Sequence, residues 1–134
     1  MEEAGKTRRD LKHRTREFAL RIIRLYGALS KRSEAQVIGK QVLRSGTAVG
    51  ANYREGVRAR SKSEYATKLN LALMEPEETL YWIELLEGAA LVKASRLVAL
   101  KDEAGELSAI LVTLIKQAKA HFNGGKPSPA RSDF

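Results

Sequence analysis

Between Leu43 and Gly56 the chain reads Leu-Arg-Ser-Gly-Thr-Ala-Val-Gly-Ala-Asn-Tyr-Arg-Glu-Gly, three glycines set among serine, threonine and alanine. Apolar residues on either side keep a helical period, so the string belongs to a helix. Each glycine costs about 1 kcal/mol there relative to alanine. The segment stays coiled only if another part of the structure packs against it closely enough to offset that cost. Ser45, Gly46, Ala48, Gly50 and Ala51 leave no bulk on several faces. This predicts contact on more than one side, the chain's own core on one and a neighbouring subunit on another. A competing reading breaks the helix at Gly46 or Gly50 into a phosphate-cradling turn. No strand precedes the string and no Lys-Ser or Lys-Thr pair follows it, which disfavours that reading.

The surrounding sequence is helical as well. Ala, Leu, Glu, Lys and Arg dominate its 134 residues, enough for one core, and only three prolines occur. A first helix is predicted from about Arg8 to Ser30, with Leu11, Phe18, Ile22, Leu25 and Leu29 on one face. Ser33-Glu34-Ala35-Gln36 reads as a capping box that opens a second helix reaching about Arg58, with Ile38, Val42, Ser45, Val49 and Tyr53 on one face. Ser61-Lys62-Ser63-Glu64 is a second box. It opens a third helix ending near Leu91, with Tyr65, Leu69, Ala72, Leu73, Leu80, Ile83 and Leu86 inward, after a connection of about two residues around Arg60. Asp102 or Ser95 would cap a fourth, whose Leu97, Leu100, Ala104, Leu107, Leu111, Leu114 and Ala118 keep a/d spacing to about Ala120. Four amphipathic helices with short connections predict an all-α, antiparallel up-down four-helix bundle over residues 8–122, between flexible ends at 1–7 and 123–134. Pro76 falls inside the third helix. The stripe stays in phase from Leu69 to Ile83, which favours a kink in a continuous helix over a break.

Charge is divided unevenly along the chain. The formal net charge is +8, yet residues 1–62 hold sixteen Lys and Arg against six acids, while the remainder holds eight against ten. Glu75, Glu77, Glu78, Glu84 and Glu87 concentrate acid in the third helix. A basic face on the first two helices would gain affinity for RNA or DNA by releasing counterions from phosphates. The candidate contacts are Arg14, Arg21, Arg24, Arg44, Arg54, Arg58, Arg60 and Lys62. Alternatively the basic half is a solvated surface, or matches the acidic half of another subunit. No sequence-reading motif is present, so binding would follow backbone and shape.

Chemistry has few candidates. There is no cysteine, which excludes disulfides, thiolate zinc sites and cysteine nucleophiles. Neither His13 nor His121 has a glutamate three residues before it, as a di-iron bundle requires. No nucleophile-elbow, metalloprotease or dinucleotide motif occurs, so neither catalysis nor a cofactor is expected. The first residues carry no basic-then-apolar leader pattern, and the longest apolar stretch, 107–115, is too short to span a bilayer. A cytoplasmic protein without membrane contact is the expectation. Asn52, Arg54, Glu55, Arg58, Lys68 and Asn70 lie nearest the hairpin between helices two and three. They would lock the hairpin, line a subunit seam or meet a polyanion. Tyr81 and Trp82 are adjacent and must point apart, one to the core and one to a surface or interface.

The ordered strings Arg44–Gly56, Arg58–Tyr65, Lys68–Leu73 and Glu78–Leu86 together resemble the signature of the four-helix proteins of the 23S rRNA intervening-sequence family, over roughly residues 15 to 120. The resemblance implies an up-down bundle assembling into a ring-like homopentamer. That family is also similar to the accessory protein of diversity-generating retroelements, a basic pentamer that binds nucleic acid and a reverse transcriptase, which makes both possible partners here. Pro76 and Gly56 depart from the family pattern, where a small residue and alanine are usual. The residues expected at close-packing or subunit contacts are Ser45, Gly46, Ala48, Gly50, Ala51, Asn52, Tyr53, Glu55, Asn70 and Trp82.

Overall fold

The computed structural model describes the backbone of residues 2–124 and the side chains of residues 10–120. Its elements are α1 (Glu2–Ala28), α2 (Ser33–Val57), α3 (Lys62–Gly88), a 3₁₀ turn at Ala94–Arg96, and α4 (Val98–Gly124), and no strand occurs among the described residues. The four expected helices are present. α1 reaches back to Glu2, ahead of the start predicted near Arg8, and α4 runs past Ala120. Beyond Gly124 the predicted tail lies outside the described residues.

The core follows the apolar stripes. Leu11, Phe18, Ile22 and Leu29 of α1, Val42, Val49 and Tyr53 of α2, Leu69, Ala72, Ile83 and Leu86 of α3, and Leu97 to Ile115 around α4 form one buried cluster. Each fully buried leucine or phenylalanine contributes about 1.5–3 kcal/mol, which is why the stripes decide the fold. Leu25, Ile38, Tyr65, Leu73 and Leu80 pack at its edge, half-buried. Thr15, Ala66, Pro76 and Thr79 are buried without having been indicated by the periodicity. Polar groups enter such positions only with partners. Thr15 donates to the Leu11 carbonyl at 2.7 Å, and Thr79 Oγ1 lies 2.8 Å from Ser45 Oγ and 2.7 Å from the Glu75 carbonyl.

Helix ends depart from the predicted boxes in instructive ways. Ser61 is the N-cap of α3: its hydroxyl accepts from the Glu64 backbone N–H at 3.0 Å. The Glu64 carboxylate reaches one residue further than a capping box would, to the Arg60 N–H. Ser33 is not an N-cap. Arg32 holds that position without a side-chain bond, and Gln36 donates to the Ser30 carbonyl and accepts from the Tyr26 hydroxyl. Neither Asp102 nor Ser95 caps α4. Ser95 sits in the 3₁₀ turn and Asp102 lies in the second turn of the helix, while the Leu97 carbonyl accepts the N–H of Lys101. The connection from α2 to α3 is Arg58–Ser61, four residues rather than two. α3 continues through Pro76, which is buried, so the unbroken helix is the correct alternative.

Contacts along the α1–α2 and α2–α3 seams run in opposite chain order. Along the α1–α2 seam, Tyr26 and Leu29 face Gly39, Ile22 faces Gly46, and Thr15 faces Gly50. Along the α2–α3 seam, Ser45 meets Thr79 and Glu55 meets Lys68. α3 packs on α4, and α1 meets α4 more sparsely. The glycines serve the first two seams directly. A Cβ on Gly46 would lie 2.6 Å from Ile22 Cγ1, and one on Gly50 would lie 2.9 Å from Thr15 Oγ1 and 3.1 Å from its Cβ. A Cβ on Gly56 would meet Lys68 Cβ at 3.2 Å. Close approach of α1 and α3 is thus the compensation that the string from Leu43 to Gly56 requires, and α2 remains helical throughout.

Candidate nucleic-acid interface

The basic residues singled out from the sequence fall into three environments. Arg14 and Arg44 are engaged in ion pairs. Arg14 donates from Nε and Nη2 to the two carboxylate oxygens of Glu103, at 3.0 and 2.7 Å, and from Nη2 to Glu106 at 2.7 Å. These bonds hold its guanidinium more firmly protonated than usual. A fork satisfied on both prongs ties α1 to α4 and leaves little of its charge for a ligand.

Arg44 is held on α3. It pairs with Glu78 and lies 3.6 Å from Glu75, beyond hydrogen-bond reach. Glu78 also accepts from Trp82 Nε1 at 3.0 Å, and the indole bond followed by Arg44 keeps its carboxyl below the usual carboxylate range. Glu75 behaves oppositely. Burial raises its carboxyl above the ordinary value, outweighing the attraction of Arg44, and its buried Oε1 has no hydrogen bond. Trp82 is half-buried at the core's edge rather than fully inside, and Tyr81 is exposed, the two rings meeting edge to face at 5.0 Å.

The second environment is the turn between α2 and α3. Arg54 is half-buried on the last turn of α2, and Arg58, Arg60 and Lys62, all exposed, lie on the connection and the first residue of α3. None of these four makes an ion pair among the described residues. The nearby acids are engaged elsewhere. Glu55 pairs with Lys68 at 2.7 Å, which lowers the Glu55 carboxyl and raises the Lys68 ammonium, and Glu64 is taken by the Arg60 backbone. A hollow of about 300 Å³ at this turn is lined by Gly56, Val57, Ala59, Arg60, Ser61, Lys62 and Tyr65. Gly56 contributes by letting α3 approach, which narrows the hairpin and gathers its cations at one end of the molecule. The third environment holds Arg21, half-buried, and Arg24, exposed, on the part of α1 that lies near Arg96 and Leu100.

The residues expected at close contacts also divide. Ser45, Gly46, Gly50 and Tyr53 are buried within the chain itself, Tyr53 being among its largest fully buried side chains. Ala48, Asn52 and Trp82 are half-buried, and Ala51, Glu55 and Asn70 are exposed. Asn70 donates to the Ala66 carbonyl at 2.9 Å. Gly39, which faces Tyr26 and Leu29, was not indicated by the sequence. It sits seven residues before Gly46, and that two-turn spacing is the signal that marks it. Among the described residues no group of three or more His, Asp or Glu side chains could hold a metal ion, and no helix is long and apolar enough to cross a membrane.

The sequence matches the family model for the 23S rRNA-intervening sequence protein over residues 9–113. Among solved structures it is similar to a protein of unknown function from the S23 ribosomal protein family of Bacteroides thetaiotaomicron. The two are 37% identical, the alignment covers 82% of this chain and 98% of that one, and the TM-score is 0.78. No curated protein matches the sequence.

Proposed function

Because the chain belongs to the 23S rRNA-intervening sequence protein family, we propose that it is a non-enzymatic, self-assembling up-down bundle that binds RNA or DNA through its basic surface. The observation that carries this reading is the α2–α3 turn, where Arg54, Arg58, Arg60 and Lys62 gather while the neighbouring Glu55 and Glu64 are already engaged. Arg54, Arg58, Arg60, Lys62 and Lys68 outnumber Glu55 and Glu64 there, and in a molecule of net charge +8 that excess attracts phosphates over a distance of about a Debye length. The turn carries no recognised sequence-reading motif, so its contacts are expected on the backbone of the strand. A ring of such subunits, five as the family resemblance implies, would repeat the basic turn around an axis and multiply its affinity. Service to a nucleic-acid enzyme such as a reverse transcriptase belongs to the same proposal.

A second reading, an assembly or adaptor module with protein partners, draws on the exposed Leu71, Met74 and Tyr81 of α3. One titration separates the two. Single-stranded RNA and duplex DNA are titrated at about 50 and about 200 mM salt with the wild type and with Arg58→Gln/Arg60→Gln. The nucleic-acid reading expects a steep salt dependence and, in the variant, about tenfold weaker binding with a salt slope lower by about one per lost phosphate contact. Absent or salt-insensitive binding by the wild type favours the adaptor.

A further inference from the structure

The seam between α1 and α4 treats its arginines unequally. At one end Arg14 is neutralised by Glu103 and Glu106. Arg21 and Arg24 stand seven and ten residues further along α1, about 10 and 15 Å up the helix. Across the seam at that height the chain supplies Arg96 and Leu100 in place of glutamates. Arg21, Arg24, Leu25, Arg96 and Leu100 line a cleft of about 200 Å³ whose walls contain no carboxylate.

None of the three arginines makes an ion pair among the described residues. Of the acids nearest the cleft in sequence or across the seam, Glu17 pairs with Arg16, Glu103 with Arg14 and Glu87 with Lys101 at 3.0 Å, while Asp102, two residues beyond Leu100, is exposed and is not among the residues that line the cleft. Leu100 is buried and Leu25 half-buried, so the floor is apolar and screens the cations less than open water would. Three guanidinium groups brought together over such a floor repel one another, and an anion seated among them relieves that repulsion. Planar forks favour an oxyanion that accepts two parallel bonds at once, which a phosphate does from several sides.

We infer that this cleft seats a backbone phosphate of a nucleic-acid strand laid along the α1–α4 seam, a second contact that brings in Arg96 from the otherwise acidic half of the sequence. The inference rests on the nucleic-acid reading proposed for the hairpin, and its test separates the two. A single-stranded RNA of defined length is titrated at low salt with the wild type, Arg21→Gln/Arg96→Gln, Arg96→Lys and Arg58→Gln/Arg60→Gln. The cleft variant is expected to bind about tenfold more weakly with a lower salt slope, and Arg96→Lys to bind more weakly than the wild type with its salt slope unchanged, because it leaves Arg21 in place and keeps the charge at position 96 without the fork. Unchanged affinity and slope in Arg21→Gln/Arg96→Gln, beside a weakened hairpin variant, overturns the cleft and leaves the hairpin standing. The reverse pattern upholds the cleft and removes the hairpin. Polyglutamate competing as well as RNA of equal charge would assign the cleft to an acidic polypeptide and overturn the inference, as would a wild type that binds no RNA. A measurement on the unaltered protein guards against damage by substitution. Inorganic pyrophosphate should shift the Nε–Hε resonances of Arg21, Arg24 and Arg96 while leaving that of Arg14 in place, and a spectrum without those shifts sinks the site.

Discussion

A single methyl group separates two kinds of glycine in this chain. Gly105 lies on the exposed side of α4, and a Cβ added there would meet nothing within 4 Å, whereas the same atom on Gly46 would sit 2.6 Å from Ile22 Cγ1 and 2.9 Å from its Cγ2. Ile22 is fully buried and β-branched, so it cannot swing aside cheaply. Gly105→Ala should therefore stabilise the protein by about 0.5–1 kcal/mol, the helix-propensity gain. Gly46→Ala should destabilise it by about 1–3 kcal/mol as overpacking exceeds that same gain. Paired urea melts measure both, and a Gly46→Ala variant as stable as the wild type would show that α1 does not depend on that notch. The need for a close neighbour at Gly46 and Gly50 was legible because glycine in a helix must be compensated. Which neighbour supplies the compensation was not, since Thr15 and Ile22 become partners only once α1 lies against α2. Ala51 is as small as the core residues of α2 but exposed on the single chain, so no neighbour within the chain accounts for its size.

At the scale of the element, stripes were easier to read than ends. Buried positions recur with the helical period because burial of a leucine outweighs a cap of about 1 kcal/mol, so tertiary packing shifts helix ends more readily than helix faces. The end of α3 is the clearest case. Its sequence places Gly88 inside the last turn, while the left-handed position two residues later is filled by Ala90, at φ 58°. The N–H of Leu91 bonds the Leu86 carbonyl at 2.9 Å and the N–H of Ala90 bonds that of Glu87 at 3.0 Å, the pair of bonds that closes a helix at a left-handed residue. With alanine where glycine is usual, the stop signal is hidden, and the apolar pattern carries the predicted helix on to Leu91. A side chain costs about 1–2 kcal/mol in that conformation. Ala90→Gly should accordingly raise stability by about 1 kcal/mol, seen as a higher denaturation midpoint with unchanged slope. A lower midpoint would mean that the closing turn does not set where α3 ends.

For the whole molecule, the proposed assembly needs a surface that water covers poorly, and the described residues offer one on the outward side of α3. Met74 and Tyr81 are 61% and 53% exposed, Leu71 lies beside them at 38%, and Glu77 and Glu84 flank them without ion pairs among the described residues. An apolar strip edged with acid suits a neighbour that presents apolar side chains edged with base. The first half of this same sequence has that composition, with exposed Ile23 and Val37 among its arginines and lysines. Two different faces meeting in this way give a head-to-tail contact, the kind that closes into a ring when the rotation per subunit permits. The number of subunits in such a ring is not legible in the heptad spacing, because the rotation depends on how rigid helices meet and not on which residues are apolar. Met74→Glu/Tyr81→Glu places two further charges on the strip at positions outside the core. It should reduce the molar mass measured by light scattering to that of one chain, with a helical circular-dichroism spectrum like that of the wild type. Raising the salt concentration should weaken the wild-type assembly in the same assay, since part of its attraction is between opposite charges. A double variant that retains the wild-type mass would move the subunit contact off α3, and a wild type that is itself monomeric would remove the assembly.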